Sequence, residues 1–484
     1  MLALSPEYTA FPSPAPGLLR TLLVALSAGV RLVSMLPVCS RLIMQGTIQV
    51  MGSGGQAVWG SAGGIVTNRS GGTISGSFNA VSVYSGAAAG TVINAGLITD
   101  NAGALAGASG VYLGNNASDY VNNTGTILET GTGAASGYLV GARLGLGGTI
   151  VNSGLIGVSN SLATGVRVDA AGTIINYGTI SASGTANVTN GAGAAIYMAG
   201  TGANLLQLGV TSTIIGTAVA NSAGANTLEL LSGVIAGTVS GLGVNYIGFQ
   251  NAVIDTGAQW VATGNNTITT GSTLINQGTL TNIGSFGGAV TMAANAALSN
   301  AATAVLSNGS LSSVIFSNGT GIAITNAGII QGSASGTALI ALANAATLVN
   351  SGLISANQTQ STGISVSGSA IITNSGTISA TGTLGQAMML AGGGTVVNSG
   401  TIQTQSTFRS AIAFGAGNSR LAISGGSVII GKVTAAGTGN VLELDGAGTT
   451  LSGFGTQYTG FQTINVKGNG WVLADTLTNT NILM

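Results

Sequence analysis

"TIVNSGLIGV" occupies Thr149–Val158 and "TIINYGTISA" occupies Thr173–Ala182, twenty-four positions later. Each has aliphatic residues, then Asn, any residue, Gly, and a second aliphatic pair. Aligned on that Asn, the pattern recurs at Asn94, Asn123, Asn152, Asn176, Asn276, Asn326, Asn350, Asn374 and Asn398, with degenerate copies at Asn68 and Asn300. From Asn68 the steps are 26, 29, 29 and 24 residues, then 100, then 24, 26, 24, 24 and 24. Self-similarity at such a period marks stacked units.

Each unit has a second half, a short alternating stretch ending at Gly: "AVSVYSG", "GVYLGN", "GVRVDAAG", "AAIYMAG", "AMMLAGG", "AIAFGAG". One unit therefore reads strand, Asn-x-Gly corner, strand, turn, strand, turn. The strands are short and alternate apolar with polar, a half-buried β signal. Sustained helical periodicity is missing from 46–484, where Gly interrupts too often. Strands this short cannot bury their apolar faces alone. Coiled so that each rung stacks on the next at about 4.8 Å, their Ile, Val and Leu make a continuous core. The expected fold is all-β, a right-handed parallel β-helix (β-solenoid) of about 24-residue rungs, preceded by a short, partly helical, non-repeat segment. At the corner, Asn is expected to tolerate the left-handed conformation and to hydrogen-bond along the stack as a structural ladder. The following Gly is expected to let the corner close.

Composition agrees. Of 484 residues 82 are Gly and only 20 are charged, with formal net charge zero and no His. With 45% hydrophobic residues the chain is not of the disordered class. Gly does not recur at every third position, which excludes collagen. Zero net charge offers no steering field, so nucleic acid is not an expected partner. Cys39 is the single cysteine, so an intrachain disulfide is excluded.

The 100-residue step hides a duplication. "NTLELLSGVIAGTVSGLGVNYIGFQNAVIDTGAQW" (Asn226–Trp260) corresponds to "NVLELDGAGTTLSGFGTQYTGFQTINVKGNGW" (Asn440–Trp471). Three regions follow: an N-terminal segment 1–45, a first solenoid block 46–266 and a second, duplicated block 267–484. The apolar run Gly17–Cys39 reads as an export signal, an interfacial amphipathic helix or sequence ahead of a mis-assigned start.

The "V-N-S-G-T-I" units and the "L-E-L…S-G-[LF]-G…Y…F…W" blocks resemble the passenger regions of bacterial autotransporters, the β-helical surface and secreted proteins of Gram-negative bacteria. The resemblance covers about residues 46–484. It implies export, passage through the outer membrane, and a place at the cell surface or outside the cell. It also implies an outer-membrane β-barrel translocator as partner. Such a barrel needs many alternating strands with aromatic girdles, and the sequence ending "LADTLTNTNILM" carries none. Truncation, or a barrel on a second polypeptide as in two-partner secretion, are the expectations. Host or biofilm glycans and self-association are the other expected partners.

Residues for chemistry are sparse. Without His, and with one Cys, neither a Ser-His triad nor a Cys-His pair can be built. Calcium-type G-G-x-G-x-D repeats and a phosphate-binding loop are missing too. Neither metal nor cofactor is expected. Glu443 and Asp445 are the one acidic pair two residues apart, read as a solvated edge pair. Trp59, Trp260, Trp471, Tyr246/Phe249 and Tyr458/Phe461 read as core or groove packing before carbohydrate platforms. The expectation is a non-enzymatic surface protein (adhesin, stalk or aggregation module). The alternatives are an exported β-helix enzyme acting on polysaccharide and a two-partner exoprotein.

Overall fold

The computed structural model describes residues 21–24, 34–36, 41–50, 54–84, 88–101, 107–132, 139–269, 272–309, 312–333, 336–475 and 481–483. No described residue is helical, and every pairing between strands is parallel. The chain is a parallel β-solenoid whose coils divide into two units. Unit 1 comprises Met1–Leu231 and Gly243–Gln250, and unit 2 comprises Ser232–Leu242 and Asn251–Met484.

The seven rungs of unit 1 from Arg41–Met44 to Leu205–Leu208 each contribute one strand to each of three parallel sheets. The rung of the opening quotation supplies Gly148–Asn152, Leu155–Val158 and Thr164–Val168. Their partners one rung on are Gly172–Asn176, Thr179–Ser181 and Ile196–Met198. Unit 2 repeats the scheme with Ala370–Asn374, Thr377–Ala380 and Gln386–Leu390 beneath Gly394–Asn398, Thr401–Thr404 and Ile412–Phe414.

Alternation decides which side chains enter. Ile322–Asn326, Ala346–Asn350 and Ala370–Asn374 each alternate buried and exposed along the strand. The buried positions stack on their own kind. Ile74, Ile98, Ile127, Ile156 and Ile180 form one in-register column in unit 1. Ile330, Ile354, Ile378 and Ile402 form its counterpart in unit 2. All are fully buried, each contributing about 1.5–3 kcal/mol of hydrophobic stabilisation. Parallel stacking makes every rung a lid for the one below, so a column has no interior end within a unit.

The glycine of the Asn-x-Gly corner has a different role from the expected one. None of Gly96, Gly125, Gly154, Gly178, Gly352, Gly376 and Gly400 takes a positive φ. The constraint is space. A Cβ on Gly154 would lie 2.0 Å from the Gly125 carbonyl oxygen, and one on Gly376 would lie 2.1 Å from that of Gly352. That same carbonyl accepts the amide of the following residue one rung on, as in Leu155 N–H to Gly125 O at 2.9 Å. The glycines form a column because adjacent backbones meet there.

The N-terminal segment is extended where it is described. Thr21–Val24 pairs with Arg41–Met44, and Ser34–Leu36 pairs with Gln56–Gly60. The described residues of 1–45 are not helical, their strands pairing with rung strands, and the partly helical expectation otherwise falls outside the described residues. Arg41–Met44 is itself a rung strand, paired with Gly64–Asn68. The rest of 1–40, on which the export-signal and interfacial-helix readings rest, lies outside the described residues, as does Cys39.

Gly154→Ala and Gly376→Ala are expected to destabilise the protein by about 1–3 kcal/mol each through backbone overpacking. Gly309→Ala, where nothing lies within 4 Å of the added Cβ, is expected to stay within about 0.5 kcal/mol. Denaturant melts of the three variants check this, and equal effects would contradict it.

Candidate functional site

The corner asparagines end the strands that precede each Asn-x-Gly corner, and their side chains are buried. Asn68 donates its amide N–H to Asn94 Oδ1, Asn94 to Asn123, Asn123 to Asn152 and Asn152 to Asn176, at 2.7–2.8 Å. In unit 2 the same bond runs from Asn282 to Asn300, Asn326, Asn350, Asn374 and Asn398, at 2.7–2.9 Å. Each Nδ2 also reaches a backbone carbonyl of the next rung, as Asn123 does to Leu155 O at 3.1 Å. These asparagines do not adopt positive φ, which is confined among non-glycine residues to Asn115, Asn295 and Asn418. The left-handed explanation for Asn is therefore replaced by the amide's pairing of donor with acceptor.

Both ladders end the same way. Where the next rung offers Leu208 opposite Asn176, the amide turns to Ser212 Oγ. Where it offers Ile423 opposite Asn398, the amide turns to Ser427 Oγ. In each case the serine lies four residues past the aliphatic residue.

Asn276 departs from the expected ladder. Its strand, Thr273–Asn276, pairs with Asn251–Ile254 and Val290–Met292, so its neighbours are Ile254 and Met292. Its amide goes to Ala297 O at 2.8 Å and to Met292 Sδ. The rung's ladder residue is Asn282, in "TLTNIG", which pairs in register with Asn300. Two Asn-x-Gly corners stand six residues apart. The 24-residue step from Asn276 to Asn300 matched the repeat period, but strand register selects the 18-residue step from Asn282.

The acidic pair of the sequence is not a solvated one. Glu443 is buried beneath Arg420 and Lys467, with Lys467 Nζ 2.8 Å from Oε2 and Arg420 bonded to Oε1. Burial by itself raises its carboxyl, but the hydrogen bonds from Arg420 and Lys467 outweigh this and hold it below the usual carboxylate range. Asp445 is exposed and accepts the Gly446 amide. In the duplicated position Glu229 is bonded by Gln207 instead.

Two groupings were not legible in the sequence. The first is a column on the outer side of the third sheet of unit 1, where Tyr112, Arg143, Arg167 and Tyr197 stand in register. Asp169 accepts from Arg143 Nε at 2.7 Å and from Arg167 Nε at 2.5 Å. The Arg143 guanidinium lies over the Tyr112 ring at 5.3 Å and that of Arg167 over Tyr197 at 5.0 Å. The arginines thus cover the ring faces, and Asp169 offsets part of their charge. The signal was the spacing of "GVYLG", "GARLG", "GVRVD" and "AIYMA" read as one register.

The second is Asp100 and Glu129, which stand in register on adjacent strands and are fully buried. Glu129 Oε1 accepts the Gly131 amide at 2.7 Å, while Asp100 Oδ1, Asp100 Oδ2 and Glu129 Oε2 have no hydrogen-bond partner of good geometry. Burial first, and then the Asp100 charge, push Glu129 up to about 9. Burial raises Asp100 to about 6, against the lowering effects of the adjoining Glu129 carboxyl and the Asn101 N–H.

The aromatic residues divide. Trp260 and Tyr458 are buried, and burial pushes the Tyr246 and Tyr458 hydroxyls up to about 12. Trp59, Phe249, Phe461 and Trp471 are half-buried. Among the described residues no three His, Cys, Asp or Glu side chains gather as a metal set.

Fold and ladders together define a parallel β-solenoid protein stapled by amide columns. Compared with protein-family models, curated proteins and solved structures, the chain matches none.

Asn350→Ala and Asn374→Ala are expected to cost about 1–3 kcal/mol each, since each leaves a buried amide above and below without its partner. Asn374→Asp is expected to cost more at neutral pH, because a buried carboxylate would face the Asn398 carbonyl oxygen without a proton to give. Ser351→Ala, at an exposed neighbour, is expected to cost less than about 0.5 kcal/mol. Chemical denaturation of the four variants checks the order.

Proposed function

We propose that this chain is a non-enzymatic exported protein of the autotransporter-passenger type, acting at the cell surface as an adhesin, stalk or aggregation module. The observation that carries this is the outer face of the ladder sheet in unit 2. From Gln259 to Val397 its outward positions include Thr279, Thr281, Ser299, Thr325, Thr347 and Thr373, all exposed or half-exposed, and no charged residue. A face of this kind offers hydroxyls and methyls at the rung spacing and no electrostatic selectivity. Repetition turns weak single contacts into avidity when the ligand is itself repetitive, such as a glycan coat or a neighbouring copy. Low charge also removes repulsion between copies. The burial of Glu443 in ion pairs and of Asp100 with Glu129 inside the solenoid supports a role without hydrolysis, because these carboxyls are withdrawn from solvent.

Residues 46–484 displayed on a bacterial surface through a supplied β-barrel are expected to promote cell–cell or cell–surface attachment. Deleting 267–484 is expected to weaken attachment more than in proportion to length. Settling and attachment equal to those of undisplayed controls would leave only a spacer role. Turnover of a polysaccharide or ester by the purified chain would overturn the non-enzymatic reading.

A further inference from the structure

The rungs that carry Asp100 and Glu129 are unusual in length. Asn94 to Asn123 and Asn123 to Asn152 are 29 residues each, against 24 from Asn152 to Asn176. Much of the surplus follows the acids directly. Ser109 lies 9 positions after Asp100 and Val140 lies 11 after Glu129, against 6 from Val158 to Thr164. Each carboxyl stands at the last residue of its strand, Leu97–Asp100 or Thr126–Glu129. The in-register neighbours at this corner are Gly76 below and Val158 above, and unit 2 places Asn308, Gly332, Ala356, Ala380 and Thr404 at the matching position. Among the described residues of these two columns, carboxyls occupy successive rungs at Asp100 and Glu129 alone.

Nothing ionic answers it. The strands packed on the pair are Thr73–Gly76, Asn79–Tyr84, Ser109–Gly114, Val140–Leu144 and Leu155–Val158. Their titratable or charged residues are Tyr84, Tyr112 and Arg143. These belong to the outer column, where Tyr112 packs on Tyr84 and beneath Arg143. Inward they present Val81, Val83, Val111, Leu113, Ala142 and Leu144, all fully buried. Two adjacent carboxylates in such surroundings cannot both hold a charge without a large desolvation and repulsion cost. One proton between them turns an acceptor–acceptor clash into a donor–acceptor bond.

We propose that Asp100 and Glu129 share a proton inside unit 1, and that this makes their paired strands, Leu97–Asp100 and Thr126–Glu129, a pH-sensitive element. With the proton in place, the two strands bury a singly charged or neutral pair. When it leaves to solvent, a second charge must be buried, and the pairing of these strands weakens before the rest of the unit.

The direction follows from linkage. Both groups titrate higher in the folded chain than as free carboxyls, so the folded state holds protons that the unfolded state has released. Stability is then highest at the acid end and falls as pH rises from about 4 to about 9. The chain has no His, the side chain whose ordinary titration falls in the middle of that window.

The experiment is a series of thermal melts of the full chain between about pH 5 and about pH 9, for the natural sequence, Glu129→Gln and Asp100→Asn, with and without added calcium. The natural chain is expected to lose several degrees across the window. Glu129→Gln is expected to be flat and to melt above the natural chain at the alkaline end, because a Gln amide donates permanently as the protonated acid does. Infrared spectra of the natural chain alone give a second readout, which does not depend on any variant folding. A protonated carboxyl C=O band persisting at neutral pH and vanishing in alkali is expected. A flat natural melt, an unchanged slope in Glu129→Gln, or no such band would each overturn the proposal. So would a calcium-dependent rise in melting temperature lost in both variants, since the pair would then hold a cation in place of a proton.

Discussion

Stacked parallel rungs stand about 4.8 Å apart, and at the Asn-x-Gly corner the backbones come closer still in side-chain terms, leaving no volume for a Cβ. The rest of the structure follows from that approach. Glycine admits it, and the glycine carbonyl then receives an amide from the rung above. The preceding asparagine is buried by the same approach and sends its amide to the asparagine one rung on and to a backbone carbonyl of that rung. Asn suits a parallel stack because it carries donor and acceptor together, so one residue type satisfies itself at any length. Asp repeated there would not, because an ionised carboxylate only accepts. The ladder and the aliphatic columns share one strand register.

The ends of the ladders show the same logic under a change of rung type. Beyond Asn176 and Asn398 the L-E-L rungs begin, with an aliphatic residue in the ladder position. A buried amide without an acceptor would cost about 1–3 kcal/mol, and a serine four residues on supplies one in both units. At the other end Asn68 stands on Met44, and its Oδ1 receives no donor.

Charge is treated as consistently as the amides. A chain with 20 charged residues in 484 could scatter them as solubilising groups, yet several are placed in pairs. Asp169 joins two arginines, and Glu443 joins Arg420 and Lys467. Asp100 and Glu129 form the exception, paired acid to acid. Because parallel stacking sets like positions against like, a solenoid brings chemically similar residues together wherever the sequence repeats a residue class at one rung position, and these two acids meet for that reason.

The period, the three short strands per rung, the inward Ile columns and the structural role of the corner Asn were legible in the sequence, because each is a local pattern repeated until chance is excluded. Duplication was legible too, since "LEL" to "W" recurs as a block. Four things needed the tertiary structure. Which of Asn276 and Asn282 joins the ladder depends on strand register, and both satisfy the local motif. The reason for the corner glycine is a carbonyl one rung away, which composition cannot register. The extended N-terminal strands at Thr21–Val24 and Ser34–Leu36 are fixed by the edges they pair with, against a local pattern that also fits a helix. Asp100 with Glu129, and Tyr112 with Arg143, Arg167 and Tyr197, lie whole rungs apart in sequence and meet only because parallel stacking makes one rung the nearest neighbour of the next.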